Sequence, residues 1–567
     1  MIIAPAALFA QNHAPFKPSH AERSIVVSVH ELASNAGLQM IKAGGNAIDA
    51  AVATGFALAV VHPQAGNIGG GGFLLFRTSA GAVHFLDFRE KAPAAATANM
   101  YLDEKGNVIK DASTIGYQAI AVPGSVAGLV TAQKKWGKLK LQKVMEPAIL
   151  LAKLGYPLSY EDAQDFKEKT LARFSTSARI FQRNGNFYRP GDTFRQPELA
   201  KTLERIAANP TNFYKGDLAR EIVAELRKGG NKITEDDFAS YEVKEREAIR
   251  GTYRGLEVIS APPPSSGGIA LIQALNILEG YDLAKLGNRS AISIHLTVEA
   301  FRRAMFDRAE FLGDPDFSKI PVAQLLDKRY GNAWRDTIDP NRASGSRELQ
   351  RPGGIFNDLD RVAKLDRDHA IPEPEHTTHY SVVDAQGNAV SVTTTLNDSF
   401  GSRVTLEGLG FLVNNEMDDF AAKQGVPNAY GLIQGPANAV GANKRPLSAM
   451  TPTIVLKDGR LFLVLGSPGG PRIITTVANI LMGVVDFGLT IQEAVNAPRF
   501  HHQWLPDSIR MERVGFSPDT LKLLSDRGHK LDFTGYWSDG ECIAIDPKTG
   551  ERLGASDGRG NGKALGN

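Results

Sequence analysis

One cysteine, Cys542, stands in a chain of 567 residues. Without a second thiol there is no internal disulfide, and a lone cysteine is ordinarily a small buried apolar residue, which argues against thiol redox chemistry. An excess of one charge is also missing. Lys and Arg number 64 against 62 Asp and Glu, with no long basic run, so neither nucleic acid nor an anionic membrane surface is an implied partner. Nor is there a long apolar run: Ala47 to Val61 contains Asp49 and is too short to cross a bilayer, so no membrane span is expected. The opening MIIAPAALFAQ has the apolar part and small-residue exit of a secretory signal, yet no basic region precedes it. Residues 1–24 read as a leader or truncated signal region, and a periplasmic or secreted product is the expectation.

What is present suits a globular protein with a large core, since 43% of residues are hydrophobic and 22% charged. A small-molecule or peptide substrate fits this balance. From Glu31 to Val61 the apolar spacing predicts two helices broken at Gly44-Gly45. The four glycines Gly69 to Gly72 lack a following Gly-Lys-Ser/Thr, so close approach of backbone is expected there rather than a phosphate cradle. FLLFRTSAGAVHFLDFRE predicts two strands around a Ser-Ala-Gly turn, with Arg89 at a strand end as a candidate anion binder. Residues 130–250 read as helical scaffold, and APPPSSGG (261–268) as a rigid loop before a helix; its serines have no visible base. From about 340 to 376 the composition shifts to Arg, Asp, Pro and Glu and predicts an exposed linker. Residues 377–396 and 451–467 alternate, turn and alternate again, as hairpins do, while the tail DGRGNGKALGN is expected to fray.

The first hairpin has chemical content. Asp384-Ala385-Gln386-Gly387-Asn388 suits a three-residue loop with glycine in the left-handed region. Counting back from an Asp384–Asn388 pair sets Thr377 opposite Thr395, with Cβ atoms roughly 4.5–5.5 Å apart. Taken alone, such a pair is ordinary sheet stabilisation. A cut between His376 and Thr377 changes its meaning, because it frees an α-amino group titrating at roughly 7.7–8.0, which accepts the proton of the same residue's hydroxyl. Nucleophile and base then belong to one threonine, and no metal or cofactor is needed. His376 and His379 fall on opposite faces of an extended segment, and no metal site is expected from them or from His501-His502.

TTHYSVVD with TLN, NNEMDDF, KRPLSAMTPTIV, GSPGG and APRFHHQWLP, and upstream DFRE, PPPSSGG and FLGDPDF, together resemble the γ-glutamyltranspeptidase family of the N-terminal-nucleophile hydrolase superfamily. The blocks occur in the family's order from about residue 25 onward. The resemblance implies an α+β fold, a four-layer αββα sandwich built by a self-cleaved heterodimer: a large subunit, 25–376, and a small subunit, 377–567. It implies a γ-glutamyltransferase and glutathione hydrolase that needs no cofactor and passes the glutamyl group to water, an amino acid or a dipeptide. In the family pattern Thr377 attacks, Thr395 supports it, and Gly469 and Gly470 form the oxyanion hole. Arg89 and Ser448 match the carboxylate binders, and Asn397, Glu416 and Asp419 the amine binders, so opposite charges are expected to be set apart. Tyr430 matches the gating aromatic of a lid between Asp419 and Ser448. The sequence departs from the pattern at Ala449, where a second serine is expected. One missing hydroxyl donor weakens carboxylate recognition by about 0.5–1.5 kcal/mol. Ala449 therefore keeps open a glutaryl or cephalosporin-type acylase, and an uncut chain would instead mark a protein that binds γ-glutamyl compounds without cleaving them.

Overall fold

The computed structural model describes residues 16–353 and 377–567. Two seven-stranded sheets carry the fold. The first runs in the order Lys563–Gly566, Ile25–Ser28, Thr377–Val383, Ala389–Thr395, Gly71–Arg77, Val83–Phe88 and Lys244–Arg246. Along its strands alternate residues belong to different cores. Ile25, Val27, Phe73 and Leu75 pack with residues of the second sheet such as Val258 and Leu463. Val26, Leu74, Val390 and Val392 pack with the helices Glu31–Lys42, Ala47–Val61, Ser125–Trp136 and Leu141–Leu154. The helices Gly267–Leu278, Ala291–Phe311 and Arg472–Val485 join the core shared with the second sheet. The architecture is the α+β, four-layer αββα sandwich, and a strand covered on both faces has no solvated side, which is why Thr377–Val383 and Ala389–Thr395 are buried throughout.

Local chemistry sets the element boundaries. The break after the first helix is followed by Asn46, whose side chain accepts from the Ile48 and Asp49 amides while Asp49 accepts from the Asn46 amide at 2.8 Å. The helix it starts, Ala47–Val61, is buried all round, as expected of a helix without a polar face. Gly387, at φ 87°, supplies the left-handed residue of the first hairpin loop, and the Asp384 amide donates to the Asn388 carbonyl at 3.0 Å. Thr453–Lys457 and Arg460–Leu465 form the second hairpin. Cys542 is buried in Glu541–Ile545, and burial pushes its thiol up to about 12. Among the described residues no helix is long and apolar enough to cross a membrane.

Two expectations are corrected. The tail is not frayed: Lys563–Gly566 pairs with Ile25–Ser28, and the Ser34 hydroxyl donates to the Lys563 carbonyl at 2.7 Å. An open sheet edge offers hydrogen bonds that glycine-rich composition does not reveal. The linker expectation holds for exposure but not for looseness in its described part, where residues 340–353 are exposed or half-buried apart from Ser346. Ser346 is buried with its amide donating to Asp507 at 2.8 Å, and Arg351 pairs with Asp307 at 2.7 Å. Residues 354–376, with His376, lie outside the described residues, as do 1–15; of the expected leader, Ser19–Ala21 is a strand paired with Arg552, Leu553 and Gly554.

Gly70 shows the close backbone approach expected of the glycine run. A Cβ there would lie 2.0 Å from the Thr395 carbonyl oxygen. Gly70→Ala is expected to displace the strand end that carries Thr395 and to cost about 2–3 kcal/mol, read as a lower denaturation midpoint; an unchanged midpoint would contradict this packing.

Candidate active site

The hairpin register delivers the two hydroxyls. Thr377 pairs with Thr395 across the strands, as the turn chemistry predicts, and their Oγ1 atoms are 3.3 Å apart. The Asn397 amide donates to Thr395 Oγ1 at 2.8 Å, and Asn67, in the glycine-rich loop, donates to the Thr395 carbonyl at 2.9 Å. Asn67 was not singled out from the sequence; its place just before the glycine run is the signal that pointed to it.

After the strand Arg460–Leu465 the chain turns through Gly469 and Gly470, at φ 123° and 55°, into the helix Arg472–Val485. Both angles favour glycine, and a Cβ at Gly470 would press on the Tyr430 ring at 2.6 Å. The helix start, through Gly470, Pro471 and Ile473, borders the same cavity as Thr377, which places the positive end of the helix at the cavity wall.

Of the residues singled out from the sequence, Thr377, Thr395, Arg89, Asn397, Glu416, Asp419, Tyr430, Ser448 and Gly470 line one cavity, with Ala449 beside them. Gly469 instead borders a second cavity of about 590 Å³ that also reaches Thr377. The first is tight, about 20 Å³, room for roughly one water. Tyr430 closes it: its hydroxyl donates to the Asn397 carbonyl at 2.6 Å, and Gln503 donates to the Tyr430 carbonyl at 3.0 Å. Admitting a larger guest requires this loop to move.

The charges differ from the expectation. Rather than standing apart, Arg89 is in direct contact with Glu416 and Asp419, lies 3.4 Å from Glu90, and donates through Nε to the Pro446 carbonyl at 3.1 Å. Burial pulls the Arg89 pKa down, but the three carboxylates outweigh it and the net shift is upward. Burial in turn holds the Glu416 carboxyl well above the usual range and pushes Glu90 up to about 7. The reason for the contact is physical, since a guanidinium with no solvent access is tolerated only among compensating anions.

Ser448 Oγ accepts from the Met450 amide at 3.1 Å, and the Ser448 carbonyl accepts from the Ser266 hydroxyl at 2.6 Å. The histidines serve packing. Buried His379 bonds Thr393 at 2.8 Å and Ser381 at 3.1 Å, with burial taking its pKa to about 3, and His501 bonds Thr475 at 2.8 Å and Gln503 at 2.9 Å. An unforeseen cluster, His295, Glu299 and His529, lies elsewhere. There Glu299 is already engaged by Arg302 at 3.1 Å and Arg303 at 2.6 Å, which would repel a cation. A second arginine, Arg308, also lines the tight cavity; its sequence signal is its position just before the FLGDPDF block. A hydroxyl pair beside backbone amides, flanked by buried charges of both signs, is equipped for acyl transfer to a threonine.

The chain is similar to known proteins. The family description Gamma-glutamyltranspeptidase matches residues 33–567. The glutathione hydrolase proenzyme of Escherichia coli (strain K12) is 49% identical over 560 residues, covering 98% of this chain and 94% of that protein. Among solved structures, the γ-glutamyltranspeptidase of Helicobacter pylori is 44% identical with a TM-score of 0.58, covering 61% of this chain and 99% of that one. The cephalosporin acylase of Bacillus halodurans is 27% identical with a TM-score of 0.84, covering 100% of this chain and 99% of that one.

The charge cluster generates a pH prediction. Glu90 holds its proton to about pH 7 in the folded chain against an ordinary value of 4.5, so its contribution to stability is fully present below 4.5 and lost as pH rises through 7, on the order of 3 kcal/mol. Glu90→Gln is expected to flatten the fall in melting temperature between pH 5 and pH 8, at roughly these bounds; a slope equal to the wild type would count against a protonated Glu90.

Proposed function

The chain belongs to the gamma-glutamyltranspeptidase family, and from that premise we propose that Thr377 is both the point of self-cleavage and the nucleophile of the mature enzyme. The protein is an autoprocessing γ-glutamyltransferase and glutathione hydrolase, opening γ-glutamyl amide bonds through an acyl-enzyme. The observation that carries the Thr377 assignment is the 3.3 Å contact of its hydroxyl with that of Thr395 at the cavity lined by the buried charges.

In the first reaction Thr377 Oγ1 attacks the His376 carbonyl carbon, the peptide C–N bond breaks, and the resulting ester is hydrolysed by water. This leaves a free Thr377 amine and two subunits, 25–376 and 377–567. In the second, that amine takes the proton from its own Oγ1 as the oxygen attacks the γ-glutamyl carbonyl. Thr395 holds Oγ1 in line, and the amides of Gly469 and Gly470, at the positive end of Arg472–Val485, stabilise the oxyanion. The leaving amine departs with the proton, and water or an acceptor amine then opens the ester and frees Oγ1.

Arg89 and Ser448 take the donor's α-carboxylate, and Glu416, Asp419 and Asn397 take its ammonium. Tyr430 and its loop close over the bound donor and exclude water. The second cavity, about 590 Å³ and bordered by Thr377 and Gly469, gives room for the leaving cysteinylglycine and for amino acid or dipeptide acceptors. Export to the periplasm or beyond belongs to the same proposal and rests on MIIAPAALFAQ.

A glutaryl or cephalosporin acylase activity is the second reading, favoured by Ala449 and by the fold shared with the Bacillus halodurans acylase. Against it stands the acid pair Glu416 and Asp419, to which a glutaryl head without an ammonium would offer no partner of its own.

Thr377→Ala is expected to run as one uncut chain without activity, whereas the wild type yields a smaller fragment whose N-terminal sequencing begins TTHYSVVD; fragments persisting in the variant would refute the assignment. Wild-type enzyme is expected to hydrolyse γ-glutamyl anilide faster than glutaryl anilide, and the reverse order would favour the acylase.

A further inference from the structure

The cavity of about 590 Å³ that Thr377 and Gly469 border also has Trp537 and Ser538 in its wall. Both are buried, at 2% and 7% exposure. Among the described residues neither Nε1 of Trp537 nor Oγ of Ser538 has a hydrogen-bond partner. They are adjacent in the segment that leads into Glu541–Ile545. A Cβ at Gly469 would lie 2.1 Å from Ser538 Oγ, so the hydroxyl packs against the residue to which an oxyanion-hole amide is given above.

We propose that Trp537 and Ser538 set specificity on the leaving-group side, where their N–H and O–H donate to the carbonyl oxygen of the amine that leaves the donor and of the amine that later attacks the acyl-enzyme. This rests on the γ-glutamyl reading above and adds to it the group by which the amine is recognised.

Three observations carry it. First, two buried polar groups without partners are costly unless a partner arrives. An indole N–H can only donate, so the missing partner is an acceptor oxygen. Second, the two groups are held ready. Ser538 has φ 60°, in the left-handed region that a residue with a side chain enters at a cost and keeps only when its surroundings enforce it. Arg499 enforces it: Nη1 donates to the Trp537 carbonyl at 2.5 Å and to the Ser538 carbonyl, and Nη2 donates to Asp557 and to the Val495 carbonyl at 2.9 Å. Third, the cavity selects the kind of oxygen. Glu161, Asp162 and Asp165 line it as well, which favours an uncharged carbonyl over a carboxylate. In glutathione and in a dipeptide acceptor that carbonyl is one carbon removed from the reacting nitrogen, and both donors share the cavity with the Thr377 that reacts.

Ser538→Gly and Trp537→Phe test this on processed enzyme, because glycine suits the left-handed backbone and phenylalanine keeps a ring while removing the N–H. With glutathione as donor each variant is expected to raise KM about 3- to 10-fold, and clearly more than with γ-glutamyl anilide, whose leaving amine has no carbonyl. With the anilide as donor, acceptor KM is expected to rise by a similar factor for glycylglycine and glycinamide, and by less for glycine, which offers only a carboxylate, and for methylamine, which offers neither. Ser538→Gly is expected to keep the wild-type melting temperature while doing so, an outcome that a purely structural hydroxyl would not give. Equal changes across all donors and acceptors, no change in any, or a loss confined to glycine would overturn the proposal. So would failure of both variants to self-process, since the pair would then belong to folding or cleavage. A wild type inactive on every γ-glutamyl donor would instead overturn the functional reading itself, which separates the two failures.

Discussion

The cross-strand contact between the hydroxyls of Thr377 and Thr395 constrains the rest of the molecule. It requires two strands held in one register, because a slip of a single residue would turn each hydroxyl to the opposite face. The Asp384–Asn388 loop sets that register at one end. At the other, Gly70 lets the backbone come against the Thr395 carbonyl, where any side chain would collide. The two strands are the third and fourth of seven, so neighbouring strands fix both from outside, and a helical layer and a second sheet cover their faces. The sandwich keeps the pair dry, and the same burial strengthens every electrostatic interaction around it.

Charge is the second constraint. The site gathers two buried arginines and two acids, Glu416 and Asp419, around a cavity with room for roughly one water, with Glu90 beside Arg89. Such a group is stable when each charge meets an opposite one, and Arg89 with Glu90, Glu416 and Asp419 meets that condition within the protein. Among the described residues Arg308 has no carboxylate in hydrogen-bond contact; its Nε donates to the Ser266 hydroxyl and Asp419 raises its pKa against burial. Tyr430, seated on Gly470 and bonded to the Asn397 carbonyl, couples this charged pocket to the loop that must open for substrate.

Much of the architecture is legible in the sequence. Short-range signals carried it: alternation marked both hairpins, Gly44-Gly45 marked the helix break, and the loop after Val383 set the pairing of Thr377 with Thr395. Signals failed where distant segments decide. The tail reads as loose because glycine dominates it, yet it completes the edge beside Ile25–Ser28. The stretch after residue 340 reads as solvated from its charges, yet Ser346 and Arg351 meet Asp507 and Asp307 from far along the chain.

The sequence by itself determined which chemistry is possible, because nucleophile, strand period, turn and the spaced family blocks are local properties that a linear chain displays. The tertiary structure alone decided which charges touch. Arg89 and Glu416 are separated by more than three hundred residues yet are in direct contact, and Arg308 reaches the cavity from the helix Ala291–Phe311, which no local periodicity ties to the site. Electrostatic pairing depends on distance and burial, and neither quantity exists until the layers close around the strands.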